Sequence, residues 1–156
     1  VVCNYSCGIQ NAPKILLTAH LDQIGMIVTN VLKDGFLKVA QVGGVDRRLL
    51  PSQRVIVQTG ENNINGVVCS TPPHLQEGKE TVIKMKDVLI DTGLSGEDAN
   101  ILSVGDTVCF APCFEVLNNK ILAATALDDR IGCVAIMLAA EKIKTDKIPC
   151  DVCVLL

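Results

Sequence analysis

The chain has 156 residues, 49% of them hydrophobic, and its 14 basic and 17 acidic side chains give a formal charge of −3 at neutral pH. That length and apolar content suffice for one substantial core or two small ones, which argues against a disordered chain. The balanced charge, without any basic run, gives no footprint for nucleic acid, and no apolar stretch reaches the roughly 18 residues of a membrane span.

Aromatic residues make up only 3% and Trp is absent, so Val, Ile, Leu and Ala must fill the interior. The abundance of β-branched residues tilts the expectation toward sheet within a mixed α/β class. The first residues, Val1-Val2-Cys3-Asn4-Tyr5, carry no initiator Met, basic leader or cleavage site. They read as a strand entered partway, in a fragment of a longer protein rather than a secreted precursor. Lys14 to Ala19 is a near-continuous apolar run after Pro13, the pattern of a parallel-sheet strand buried on both faces. It ends in His20-Leu21-Asp22.

From Met26 the texture changes to short alternating strands. The candidates are Met26 to Leu32, Phe36 to Ala40, Arg54 to Thr59, Asn65 to Cys69, Val82 to Met85, Val88 to Asp91 and Thr107 to Phe110. Lys33-Asp34-Gly35, Gly43-Gly44, Gly60-Glu61-Asn62 and Pro72-Pro73 break them at the spacing of a compact barrel or sandwich. Ser95-Gly96-Glu97-Asp98 has the pattern of a helix cap before a short helix to Leu102. Lys120 to Thr125 predicts another strand, Ile131 to Lys144 a helix covered on several sides, and Asp151 to Leu156 a final buried strand. The expected fold is α/β, with residues 1–25 and 118–156 forming two segments of one domain and residues 26–117 an inserted all-β, barrel-like domain.

Eight cysteines could build a secreted disulfide scaffold, but such scaffolds are short and poor in core. Cys133 in an apolar helix, and Cys109 and Cys153 in strand-like runs, instead suit buried, reduced thiols. Cys150-x-x-Cys153 invites a zinc or redox reading, yet on a strand its odd spacing sends the two side chains to opposite faces.

Two constellations carry chemistry. His20 and Asp22 stand at the end of a buried strand, where period two puts both side chains on one face, and the carboxyl ends of such strands are where open α/β sheets bind ligands. A metal-bound imidazole commonly gives its other ring N–H to a carboxylate, a role Asp22 could fill. The pair equally fits a hydrogen-bonded polar couple at a strand end. Asp128-Asp129 precedes the apolar helix, where a carboxylate can simply cap the helix. The two constellations gain weight by occurring together, each beside core residues and separated by the insert.

Four motifs in order carry a resemblance: Ala19-His20-Leu21-Asp22-Gln23-Ile24-Gly25, Val42-Gly43-Gly44-Val45-Asp46, Pro72-Pro73-His74-Leu75 and Ala126-Leu127-Asp128-Asp129-Arg130-Ile131-Gly132. With them, the chain resembles the M42 metallo-aminopeptidases over nearly its whole length. The resemblance implies a partial α/β metallopeptidase domain interrupted by a dimerisation barrel, and two divalent ions, zinc or cobalt, in the full-length protein. It matches His20 to a metal ligand, Asp128 to the carboxylate bridging both ions, and Asp22 to the acid that orients His20. It also implies a cis peptide between Asp128 and Asp129. The general-base Glu and the remaining ligands are expected beyond Leu156, so the fragment is expected to be inactive, with its own metal content left open. His74 reads as a loop residue. Gln23 stands where such proteins usually have Glu, which leaves substrate preference open.

The implied activity is release of N-terminal residues from short peptides, in the cytoplasm, by a dimer that builds a dodecamer. A non-catalytic interaction module is the alternative. A glucanase reading finds no suitably paired carboxylates.

Overall fold

The computed structural model describes residues 1–72 and 82–156; the expectations for His74 and for Pro73 as a strand breaker lie outside the described residues. The chain divides into two compact units, one formed by Val1–Gln23 with Leu117–Leu156, the other by Ile24–Val116.

In the first unit, β1 (Val2–Tyr5), β2 (Lys14–Thr18) and β11 (Asp151–Leu155) form a sheet in the order β1-β11-β2. β11 runs parallel to β2, from Asp151 opposite Lys14 to Leu155 opposite Thr18, and antiparallel to β1. Parallel neighbours need a crossover, and helix α1 (Leu127–Asp146) lies on it. Cys150, Val152 and Val154 are buried among Tyr5, Leu17, Ile136, Ile143 and Ile148. The end of β1 is tied to β11 through Asp151, whose Oδ1 accepts from Cys7 N at 3.0 Å and Ser6 Oγ at 3.1 Å. The Cys7 backbone N–H is the main cause holding that carboxyl below its ordinary range.

The second unit is a closed six-stranded barrel of β3 (Gly25–Val31), β4 (Leu37–Val42), β5 (Arg54–Gln58), β6 (Asn63–Val68), β7 (Leu89–Asp91) and β8 (Thr107–Phe110), in the order β3-β4-β7-β6-β5-β8. Strict alternation builds it. Met26 and Val28 on β3, Leu37 and Val39 on β4, Val55 and Val57 on β5, Ile90 on β7 and Val108 on β8 all point into the core, as period-two geometry requires. Val45, Leu50, Val88, Ala99 and Leu102, from the connections, join the same core. The β3–β4 turn depends on Gly35, which sits at φ +82° where a Cβ would collide with the Leu94 carbonyl. β9 (Phe114–Leu117) and β10 (Ile121–Ala124) pair as a hairpin around Asn118 and Asn119, both at positive φ.

A short 3-10 turn, Arg47–Leu49, is capped by Asp46, whose Oδ1 accepts from Arg48 N at 3.0 Å. The Arg48 guanidinium also grips both carboxylate oxygens, at 2.9 Å and 2.6 Å for its best contacts. These bonds, the side-chain ones first, lower the Asp46 carboxyl from 3.8 to about 2. A depressed acid contributes its stabilisation above its unfolded value and loses it as pH falls through its folded value, here between 3.8 and about 2. A carboxyl-carbon NMR titration is expected to place the Asp46 midpoint near the lower figure, and Arg48→Ala to return it toward the upper one. An unchanged midpoint in Arg48→Ala would remove the guanidinium as the cause.

Several local expectations are corrected. Val82 to Lys84 forms no strand, and Met85–Asp87 is a 3-10 turn. Gly96–Ile101 is a 3-10 segment in which Ser95, though its backbone is extended at φ −150°, makes no side-chain capping bond. The predicted strand at Lys14 is an edge, with Ile15 and Leu16 exposed. Helix α1 exposes Ile131, Val134, Met137 and Leu138 on the side away from Ile136 and Ile143, which pack on the sheet. Within the described residues nothing covers those faces. Of the cysteines, only Cys133 and Cys150 are buried, so Cys109 and Cys153 are less enclosed than expected. Among the described residues no helix is long and apolar enough to cross a membrane.

Candidate metal centre

β2 ends at Thr18, so His20 and Asp22 lie in the loop beyond the strand rather than on one strand face. The loop nonetheless folds them together. His20 Nδ1 is 3.4 Å from Asp22 Oδ1 and 3.3 Å from the Asp22 carbonyl oxygen. On the opposite edge of the ring, Nε2 is 3.6 Å from Asp128 Oδ1. The structure therefore brings together all three residues singled out in the sequence, and it gives the imidazole a different neighbour at each nitrogen.

Asp128 owes its position to the irregular start of α1. Ala126 stands at φ +60°, Asp128 and Asp129 have non-helical backbone angles, and the peptide joining them is cis. Regular helix begins only after Asp129. Asp129 Oδ1 accepts from Gly132 N at 3.2 Å, so Asp129 satisfies one of the free N–H groups of the first turn. Gly132 leaves room for that carboxylate, which a Cβ would strike. Capping thus falls to Asp129 and leaves Asp128 free, its side chain 97% exposed.

The donor set fits a divalent cation of the zinc type, which takes imidazole nitrogen and carboxylate oxygen. At 3.6 Å, Nε2 and Oδ1 are too far apart to hydrogen-bond each other. Two donors about 2.0–2.2 Å from one cation at a tetrahedral angle lie roughly 3.4 Å apart, close to this spacing. The tautomer with its proton on Nδ1, toward the Asp22 carbonyl at 3.3 Å, would present the Nε2 lone pair on the side of Asp128. The site is only partly furnished. Among the described residues, no group of three or more His, Cys, Asp or Glu side chains gathers to hold a metal.

Two contacts were not foreseen from the sequence. Arg130 Nε donates to the Leu21 carbonyl at 3.1 Å, and Cys133 Sγ to the His20 carbonyl at 3.4 Å. No local periodicity signals a bond between a helix and a loop more than a hundred residues away, and Cys133 reads in sequence as a small hydrophobe.

The profile of the M42 glutamyl aminopeptidase family matches residues 2–156. A lysyl aminopeptidase from Pyrococcus furiosus is 36% identical over 139 residues, 85% of this chain and 40% of that protein. An aminopeptidase structure from the archaeon Desulfurococcus kamchatkensis superposes with a TM-score of 0.86 at 32% identity, covering 98% of this chain and 42% of the other. The TET1 peptidase of Pyrococcus horikoshii, described as assembling into a tetrahedron or a large octahedral shell, gives a TM-score of 0.83 at 31% identity, over 98% and 46% of the two chains. The chain thus spans less than half the length of each of these proteins. On the profile match over residues 2–156 and these likenesses, the chain belongs to the M42 glutamyl aminopeptidase family.

Proposed function

We propose that the protein to which this chain belongs is a two-metal aminopeptidase that releases N-terminal residues from short peptides. The observation that carries the reading is the facing of His20 Nε2 and Asp128 Oδ1 across 3.6 Å, with Asp22 at the other ring nitrogen. In this reading His20 and Asp128 would hold divalent ions, zinc or cobalt, and Asp22 would fix the His20 orientation.

When bound, the ions supply Lewis-acid polarisation of the scissile carbonyl and a water of lowered pKa. The chain's own part is to set the donors. The Asp22 carbonyl, 3.3 Å from Nδ1, and its carboxylate, 3.4 Å away, orient the ring, Asp129 leaves Asp128 unencumbered by capping the helix, and α1 holds the His20 loop. Two donors are fewer than the three protein ligands a catalytic zinc usually takes, so these 156 residues alone are proposed to be inactive. The barrel, residues 26–117 in the sequence reading, is proposed to serve dimer formation and higher assembly; the Pyrococcus horikoshii relative is described as assembling into a tetrahedron or a large octahedral shell. Cysteines set in a chain with ample core, rather than in a small disulfide scaffold, favour a reducing compartment and hence the cytoplasm.

The test is metal removal. Full-length protein loaded with zinc or cobalt is expected to hydrolyse aminoacyl-p-nitroanilides, to lose that activity on chelation, and to regain it when metal is restored. Hydrolysis that persists through exhaustive chelation sinks the metal reading. Absence of any hydrolysis by loaded protein returns the chain to the interaction-module alternative.

A further inference from the structure

We propose that Arg130 and Cys133 are positioning residues that lock the His20 loop onto helix α1 and thereby aim the imidazole at Asp128; this rests on the reading of His20 and Asp128 as metal ligands.

The loop after β2 has no ladder of its own, since regular pairing stops at Thr18. Two consecutive carbonyls in it, those of His20 and Leu21, are each taken up by the first turn of α1. The donors sit three residues apart, which places them on one face of the helix. Asp128 lies at the start of the same helix. Helix α1 therefore carries the carboxylate at its irregular start and also fixes the backbone of the residue facing it, so the spacing of Nε2 and Oδ1 depends on the loop being held to α1. Each donor suits its task. Cys133 is 3% exposed, and its thiol is small enough for the packed interface while still offering an S–H. Arg130 is exposed and reaches the Leu21 carbonyl through Nε, which leaves its terminal nitrogens unused by that bond.

Side-chain length gives a clean dissection. In Gln the amide nitrogen occupies the same place along the side chain as Arg Nε, whereas in Met that place holds a methyl group. Arg130→Gln thus keeps a donor and removes the charge, while Arg130→Met removes both at similar length. Cys133→Ser keeps a donor, and Cys133→Ala removes it.

The experiment uses full-length protein. Zn²⁺ affinity is measured by competition with a chelator, and the His20 ring resonance of metal-free protein, identified by its loss in His20→Ala, is followed by NMR. Arg130→Met and Cys133→Ala are each expected to weaken Zn²⁺ binding about 10-fold, the lower end for groups that orient a ligand, and to shift or broaden the ring signal. Arg130→Gln and Cys133→Ser are expected to restore both to near the parent values. Arg130 is exposed, so its variants remain informative if a Cys133 variant fails to fold. Unchanged affinity and ring signal in Arg130→Met overturn the proposal, as does loss that Gln fails to rescue. The ligand reading fails separately if His20→Ala binds Zn²⁺ as tightly as the parent, and the metal-free ring signal then still decides whether Arg130 and Cys133 position the imidazole.

Discussion

His20→Ala in the full-length protein is expected to lower aminopeptidase turnover by about 10³-fold and to reduce the bound metal per subunit. The magnitude follows from the several kcal/mol of charge stabilisation a metal contributes, with each 1.36 kcal/mol worth a factor of ten. Asp128→Asn should act as strongly, because its carboxylate lies on the Nε2 side of the ring and the substitution replaces a charged zinc ligand by a neutral amide. Asp22→Ala should cost less, about 10–100-fold, since it faces Nδ1 and acts only through the ring. Asp129→Asn gives the sharpest contrast within one dipeptide. Asparagine still caps a helix, so this change should leave the metal content near the parent's. Equal losses from both Asp positions would mean that the division between ligand and cap is wrong. Full metal content and turnover in His20→Ala would end the assignment of that residue.

In the barrel, Leu37→Ala is expected to destabilise the protein by about 3 kcal/mol, within the 2–5 kcal/mol typical of truncating a buried leucine. Leu37 is 0% exposed and sits opposite Ile90, also 0% exposed, across β4 and β7. Removing three carbons there leaves a void that the surrounding strands, closed on themselves, cannot collapse to fill. Leu49→Ala is the matched control. Leu49 is 65% exposed on the 3-10 turn, and its loss should stay within about 0.5 kcal/mol. Urea denaturation followed by circular dichroism measures both. If the two variants have the same midpoint, the interior role given to Leu37 is incorrect.

What the sequence made readable was the alternation inside each strand. Leu37 and Val39 flanking Lys38 announce which side faces inward without any knowledge of the neighbours. Coverage by other elements leaves no such trace. The run at Lys14 and the helix around Val134 are apolar on more sides than this chain covers, so pattern alone overstated their burial. The Phe114–Leu117 strand was missed because it follows Pro112 and Cys113 closely and lacks alternation in its burial. Ser95 shows that a capping motif needs more than its letters, since its side chain makes no bond to the turn that follows. The metal pair itself was suggested by family motifs together with the position of His20 after a strand. The distance between the two groups had no counterpart in spacing, because it depends on a connection more than a hundred residues long.

That connection bears on the order in which the molecule can fold. β3 and β8, the first and last strands of the barrel, are direct neighbours, with Gly25 opposite Cys109. Once they zip together, the 109 residues between Leu21 and Arg130 shorten to an effective path of roughly 25, about two halvings of loop length worth ~1.2 kcal/mol of chain entropy. A barrel that matures early therefore acts as a clasp at its own neck, and the loop and helix meet late and at small entropic cost.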